Sequence, residues 1–344
     1  MQHQDKNVTT DLPTVTFAIP VLNEEAKIAR CLESIRSLDY PQQKVEIIIA
    51  DAGCIDRTIE IAQKYDCTII DNPRKLAEPG LYLGHQLGKG EVKVFFAADN
   101  ACPTPAWLKL MVAPFMSDES IMGAYTQIIP PPAESGDNAF NRYYSLLHVE
   151  PFSWFVYGDG VHPARFHRRY SLKERHDDYD VFRFAVDDHP LIAFAQGFCI
   201  NAKFKRKEEY LWDDILPFLQ MIEEGRKVAY VPDAGVYHFH LNGFRHYLKK
   251  YQWRIRNSLH KKKYGFDTRL QYLTLGKRLR KYLWLLYGTT VLGPLWHSLR
   301  WSVRDSDPVW FWHIPASVGL SWLIVYEVLR RYLYSPLAKD SGHE

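Results

Sequence analysis

Between residues 14 and 129, short apolar runs alternate with stretches of helical period, and this alternation limits the possible folds more than any other feature. TVTFAIPVL (14–22) reads as a buried strand. After it come Asn23, the acids Glu24 and Glu25, and apolar residues at Ile28, Cys31, Leu32, Ile35 and Leu38. An Asn cap, acids in the first turn and a 3-4-3 apolar rhythm predict a helix beginning there. VEIIIAD (45–51), CTIID (67–71), VKVFFAAD (92–99) and IMGAYTQII (121–129) predict four more strands. Asp56 is expected to cap a helix running to Tyr65, and Thr104-Pro105 to open another. Such alternation predicts an α/β fold whose mostly parallel sheet is flanked by helices, with ligands beyond the C-terminal ends of the strands.

Composition excludes several classes. With 344 residues, 47% hydrophobic and 24% charged, the chain is an ordinary folded protein, large enough for one big domain or a domain with an appendage. A net charge of +3 is too small to argue for nucleic acid, and no nucleic-acid partner is expected. The five cysteines form no CxxC pair, which speaks against a disulfide framework or a zinc ribbon and suits a reducing compartment. The N-terminal residues contain no apolar stretch, so no cleaved signal peptide is expected.

The C-terminal third differs in character. Residues 244–281 carry a dense run of Lys, Arg and His that reads as a basic amphipathic helix. Two hydrophobic segments follow, 282–299 and 309–329, each about 20 residues and so long enough for a roughly 30 Å hydrocarbon core. Trp284, Trp296, Trp301, Trp310, Trp312 and Trp322 crowd them as an interfacial belt would. Cations precede the first segment and follow the second, which predicts a membrane hairpin with both ends on the cytosolic side. The alternatives are a re-entrant or in-plane lie, or two helices buried in a soluble domain.

Acids stand where an α/β sheet places its site. Asp51 ends the second strand and Asp99 the fourth. A carboxylate there can accept from a nucleobase or ribose, or hold Mg²⁺ or Mn²⁺, which prefer oxygen ligands. Asp51 is read as functional, and Asp56 as a turn and cap residue. No G-x-G-x-x-G follows the first strand, which excludes a dinucleotide-binding domain. GHQLGKG (84–90) precedes a strand and lacks Ser or Thr after Lys89, so it is read as a helix end and turn. A nucleotidyltransferase would need a Gly-rich basic loop where IPVLNEE stands.

Five motifs in order resemble the family 2 glycosyltransferases of the Rossmann-like GT-A fold: IPVLNEE (19–25), IIADAGCIDRT (48–58), FFAADNACP (95–103), WDDI (212–215) with an EEG turn ten residues on, and AGVYH (234–238). The resemblance covers about two-thirds of the chain. It implies transfer of a sugar from a nucleoside diphosphate to an acceptor, usually with inversion; with the hydrophobic hairpin, the expected acceptor is lipid-linked or a saccharide at the cytosolic face of the cell membrane. It further implies that Pro20, Val21, Glu24 and Asp51 face the nucleotide, and that Asp99 and His238 bind Mn²⁺ or Mg²⁺. Asp214 matches the general base, with Asp213 as its rival on the same turn. Arg254 and Arg256 match basic residues near the diphosphate, or else contact lipid, while His240 is assigned to packing. Ala97 replaces the first acid of D-x-D, Cys54 a usual Ser, and GLYLG (80–84) the usual ARNxG. These departures leave open a non-catalytic nucleotide-binding scaffold. The expected organisation is a tail (1–13), a GT-A domain (14–243, with halves 14–129 and 130–243), a basic helical segment (244–281), the hydrophobic pair (282–331) and a tail (332–344).

Overall fold

The computed structural model describes residues 12–158, 163–192, 194–207, 215–261 and 274–334. The first half comprises β1 (Val15–Val21), α1 (Ile28–Arg36), β2 (Val45–Asp51), α2 (Thr58–Ala62), β3 (Thr68–Asp71), α3 (Ala77–Leu87), β4 (Val92–Phe96), β5 (Asn100–Ala101), α4 (Trp107–Ser117), β6 (Ile121–Tyr125) and β7 (Ile128–Ile129). Then follow α5 (Ala139–Leu147), α6 (Pro151–Tyr157), α7 (Pro163–Arg169), β8 (Ser171–Arg175), β9 (Asp180–Arg183), β10 (Gln196–Asn201), α8 (Leu216–Glu223), β11 (Lys227–Tyr230) and β12 (Val236–His238). The chain continues through α9 (Phe244–Lys261), α10 (Leu275–Thr289), α11 (Leu292–Asp305) and α12 (His313–Tyr334).

The main sheet has the order β3-β2-β1-β4-β10-β6-β11-β9-β8. Only β10 and β9 run against the common direction, so the predicted mostly parallel sheet is present. A small sheet, β5-β12-β7, sits just past the end of β4 and pairs His238 with Asn100. One apolar cluster packs β1, β2 and β4 against α1 and α4 around Trp107. The other covers the opposite face and continues into the C-terminal helices through Trp284, Trp301, Trp310 and Leu320. Each ring of this kind buries roughly 150–250 Å², an upper-bound contribution on the order of 4 kcal/mol.

Three expectations change. Helix α1 starts at Ile28, because Asn23 adopts a left-handed φ of 56° and turns its side chain to the neighbouring loop, where Oδ1 accepts from Ile55 N at 2.9 Å. Helix α4 starts at Trp107, not at Pro105: Thr104 takes part through its backbone carbonyl, which accepts from Trp107 N at 3.1 Å.

The third change concerns the first predicted membrane segment, which is not one helix. It breaks after Thr289 into α10 and α11, of 15 and 14 residues. Thr290 is extended there and its hydroxyl donates back to Leu286 O at 2.8 Å, while Gly293 and Pro294 open the next helix. Among the described residues one stretch, Pro308–Leu333, is long and apolar enough to cross a membrane, and 39% of its most apolar window is buried within the protein. Trp284, Trp301 and Trp310 belong to the core and not to an interfacial belt.

Candidate active site

The loops beyond β1, β2 and β4 are tied together by side chains. Asp51 Oδ1 accepts from the backbone of Gly53 (3.0 Å) and Cys54 (2.8 Å), the Asx turn that a strand-end Asp favours. Asn23 N donates to Cys54 Sγ at 3.2 Å, so the thiol standing in the usual serine position joins the first loop to the second. Asp56 Oδ1 accepts from Thr58 N at 3.0 Å and Oδ2 from Glu25 N; the cap position of α2 is Arg57, so Asp56 closes an Asx turn one residue earlier and is not the expected cap. Pro20 and Val21 pair with Ala50 and Asp51, which sets the first two loops side by side.

At the end of β4, Asp99 lies between two imidazoles. Its Oδ1 is 3.3 Å from His238 Nε2, and its Oδ2 is 3.3 Å from His240 Nδ1. All three are buried, at 8%, 4% and 7% exposure. Backbone fixes them: Phe239 N donates to Asp99 O at 2.8 Å, and β12 holds His238 beside β5. Gln196 completes the support, with Nε2 3.1 Å from His238 Nδ1. It reaches that position through an irregularity in β10, where Gly197 has φ +81° and a Cβ would come within 2.9 Å of the Trp107 ring.

Two ammonium groups complete the cluster. Lys27 Nζ lies 3.8 Å from Asp99 Oδ2 and 3.7 Å from Glu24. Lys250 Nζ, from the first turns of α9, lies 3.3 Å from His240 Nδ1. Burial pushes the Asp99 carboxyl upward, but His238 and His240 outweigh it and hold Asp99 well below the usual carboxylate range. Burial, then the neighbouring Lys250 and His238, holds the His240 imidazole well below its ordinary value. Burial and then Arg254 bring the Lys250 ammonium down to about 8. Burial raises the Glu24 carboxyl, partly offset by Lys27.

The donor set fits a divalent cation. One carboxylate oxygen and two imidazole nitrogens lie within 4.8 Å of one another, an O/N combination suited to first-row metals. His240 Nε2 is also buried without a hydrogen-bond partner.

Of the sequence-derived candidates, the structure brings Asp99, His238 and Glu24 into one neighbourhood, while Pro20 and Val21 end β1, which pairs with β4, and Asp51 ends β2 on the other side of β1. Arg254 follows Lys250 by one turn and donates to Tyr251 OH at 3.3 Å. Arg256 pairs with Glu327 on α12 at 2.9 Å. Asp213 and Asp214 lie outside the described residues. Sequence reasoning missed three members. His240 was assigned to packing although it shares an i, i+2 face with His238, a signal that was present. Lys27 stands just after IPVLNEE. Nothing in the basic run of α9 distinguishes Lys250 from its neighbours.

A nine-stranded, mostly parallel sheet flanked by helices, with an Asp/His cluster just past β4, is the arrangement of the GT-A fold. Residues 16–179 match the model of glycosyl transferase family 2. It is 30% identical over 151 residues to glycosyltransferase AglE of Haloferax volcanii, covering 42% of this chain and 48% of that protein. It is 36% identical over 102 residues to a dolichyl N-acetyl-alpha-D-glucosaminyl phosphate 3-beta-D-2,3-diacetamido-2,3-dideoxy-beta-D-glucuronosyltransferase of Methanococcus voltae, covering 28% and 32%. The chain therefore spans about half the length of the first of these relatives, and less of the second. In fold it is similar to the mannosyltransferase PcManGT of Pyrobaculum calidifontis, solved with GDP-Man and Mn²⁺, at 14% identity and a TM-score of 0.50 over 92% of this chain and 88% of that one.

Proposed function

We propose that the protein is an inverting, divalent-metal-dependent glycosyltransferase. It moves a sugar from a nucleoside diphosphate to a lipid-linked or cell-surface polysaccharide acceptor at the cytosolic membrane face. The observation that carries this reading is the Asp99–His238–His240 cluster with Lys27 and Lys250 beside it. A diphosphate leaves with developing negative charge, and a buried set of cations and metal ligands at the end of β4 suits it. A metal bound by Asp99, His238 and His240 would neutralise part of that charge.

The chain's own residues do the rest. Lys27 and Lys250 hold the diphosphate from two sides, and Gln196 keeps the His238 ring oriented. Glu24 and Asp51 line the nucleotide end, with Asp51 rigid in its turn and facing base or ribose. Asp214, with Asp213 as the rival, takes the acceptor proton, and an inverting displacement needs only that one base. The lipid-linked acceptor is supported by the Methanococcus voltae relative, whose name specifies a dolichyl-linked sugar phosphate.

Melting of the full chain with UDP-, GDP-, CDP- and dTDP-sugars, with and without Mn²⁺, tests the reading. Selective binding at about a hundred times Kd adds roughly 2.7 kcal/mol of stability. Asp99→Ala should lower turnover of the selected donor by ~10²-fold or more. If no donor shifts the melt or is consumed, and Asp99→Ala changes nothing, the chain is a non-catalytic scaffold instead.

A further inference from the structure

The C-terminal helices are apolar on two faces. One face of each joins the core: Trp284 of α10, Trp301 and Ser298 of α11, Ala316 and Leu320 of α12 are buried. The other face points to solvent. On α11 it carries Leu292, Trp296, Leu299 and Val303, at spacings of 4, 3 and 4 residues. At 100° per residue these fall within about 40° of a single line along the helix. Trp322, Tyr326, Leu329 and Leu333 repeat the same spacing on α12, and Leu275, Leu279, Tyr282 and Leu286 repeat it on α10. Isolated exposed apolar residues are ordinary, whereas an exposed apolar row on each of three mutually packed helices marks a contact surface.

The charges beside these rows select the occupant. Helices α10 to α12 carry Lys277, Arg278, Arg280, Lys281, Arg300, Arg304, Arg330 and Arg331. Their acids are Asp305, paired with Arg304, and Glu327, buried at 2% exposure under Arg256 and Arg330. A second copy would set like charges against one another, whereas an anionic bilayer complements both the rows and their flanking cations. At 1.5 Å per residue α10 and α11 are about 22 and 21 Å long, short of the ~30 Å hydrocarbon core, so these two cannot span it upright.

We propose that the outward apolar rows of α10, α11 and α12 form a seat that lies in the plane of an anionic lipid bilayer, with the flanking Arg and Lys at the headgroups. The seat deepens the membrane-face reading above and rests on it. Flotation of the full chain with vesicles of phosphatidylcholine, with or without phosphatidylglycerol, tests it. The wild type should float with the phosphatidylglycerol vesicles and be partly released by salt, because screening weakens the headgroup attraction. Leu292→Ser combined with Trp296→Ser and Val303→Ser should reduce flotation at least tenfold, with the nucleotide-dependent melting shift unchanged to show that the fold persists. Bromines near the headgroup end of the acyl chains should quench the part of the fluorescence that is lost in Trp296→Phe.

The seat is overturned if the wild type does not float, if the triple variant floats equally well, or if bromines at the bilayer centre quench most. It is also overturned if the triple substitution changes oligomeric mass without affecting flotation. Flotation without donor turnover sinks the catalytic reading and leaves the seat standing, and turnover without flotation does the reverse.

Discussion

Lys250 reaches the Asp99 cluster from the first turns of α9, and burial has already brought its ammonium down to about 8. Lys250→Met keeps the stem and removes the charge. It should raise the Kd for the nucleoside diphosphate by about tenfold, roughly 1.4 kcal/mol, measurable by titration calorimetry. Metal-independent binding should suffer most, because in the proposed role the lysine meets the phosphate directly. His85 offers a second residue-level outcome. Burial, then the Arg206 guanidinium beside it, hold its imidazole down to about 3, whereas the unfolded chain protonates near 6.5. Between these values the unfolded state binds the extra proton, so stability present above about pH 6.5 is lost as pH falls toward 3. Melting temperature measured across that window should fall less steeply in His85→Phe than in the wild type. At this scale the sequence was legible wherever position along a strand fixes chemistry, as for Asp99 and His238. It was not where distant elements converge: Lys27, Gln196 and Lys250 come from α1's approach, β10 and α9, and no local spacing links them.

Helices α10 and α12 approach closely at Gly288. A Cβ there would lie 1.8 Å from Ser321 Oγ, 2.9 Å from Ser321 Cβ and 3.2 Å from Ser317 O. Gly288→Val therefore overfills the contact and should cost about 1–3 kcal/mol, read as a lower melting temperature. Strands were legible as elements because each is a short apolar run between turn residues, and five of the expected strands appear nearly in place. Helix starts were less so. Asn23 is a good cap by type, yet its side chain has a tertiary partner at Ile55, and tertiary hydrogen bonds override local preference. The hydrophobic hairpin misled for a related reason. Hydropathy averages over 20 residues and does not register the break after Thr289, where the Thr290 hydroxyl competes for backbone carbonyls.

Across the whole molecule the two apolar clusters meet at the sheet, and the larger one runs without interruption from β4 and β6 into the helices beyond residue 274. Composition shows the aromatics but not which face each ring joins, so Trp284 and Trp301 read as lipid-facing until the fold is known. One element spans this continuity. Helix α9 holds Lys250 at the Asp99 cluster and, six residues on, Arg256 against Glu327 of α12, with Gln252 donating to the same carboxylate at 2.7 Å. Six residues of helix advance about 9 Å. Under the proposed function, helix α9 acts as a ruler, fixing the height of the Asp99 cluster above the surface on which α12 would rest. Under the proposed reading, such a fixed height favours acceptors whose hydroxyl stands one or two sugars from the lipid phosphate over longer lipid-linked chains. Turnover on vesicle-borne acceptors should fall steadily as sugars are added between the lipid and the accepting hydroxyl, and turnover independent of that length would mean that no such ruler operates.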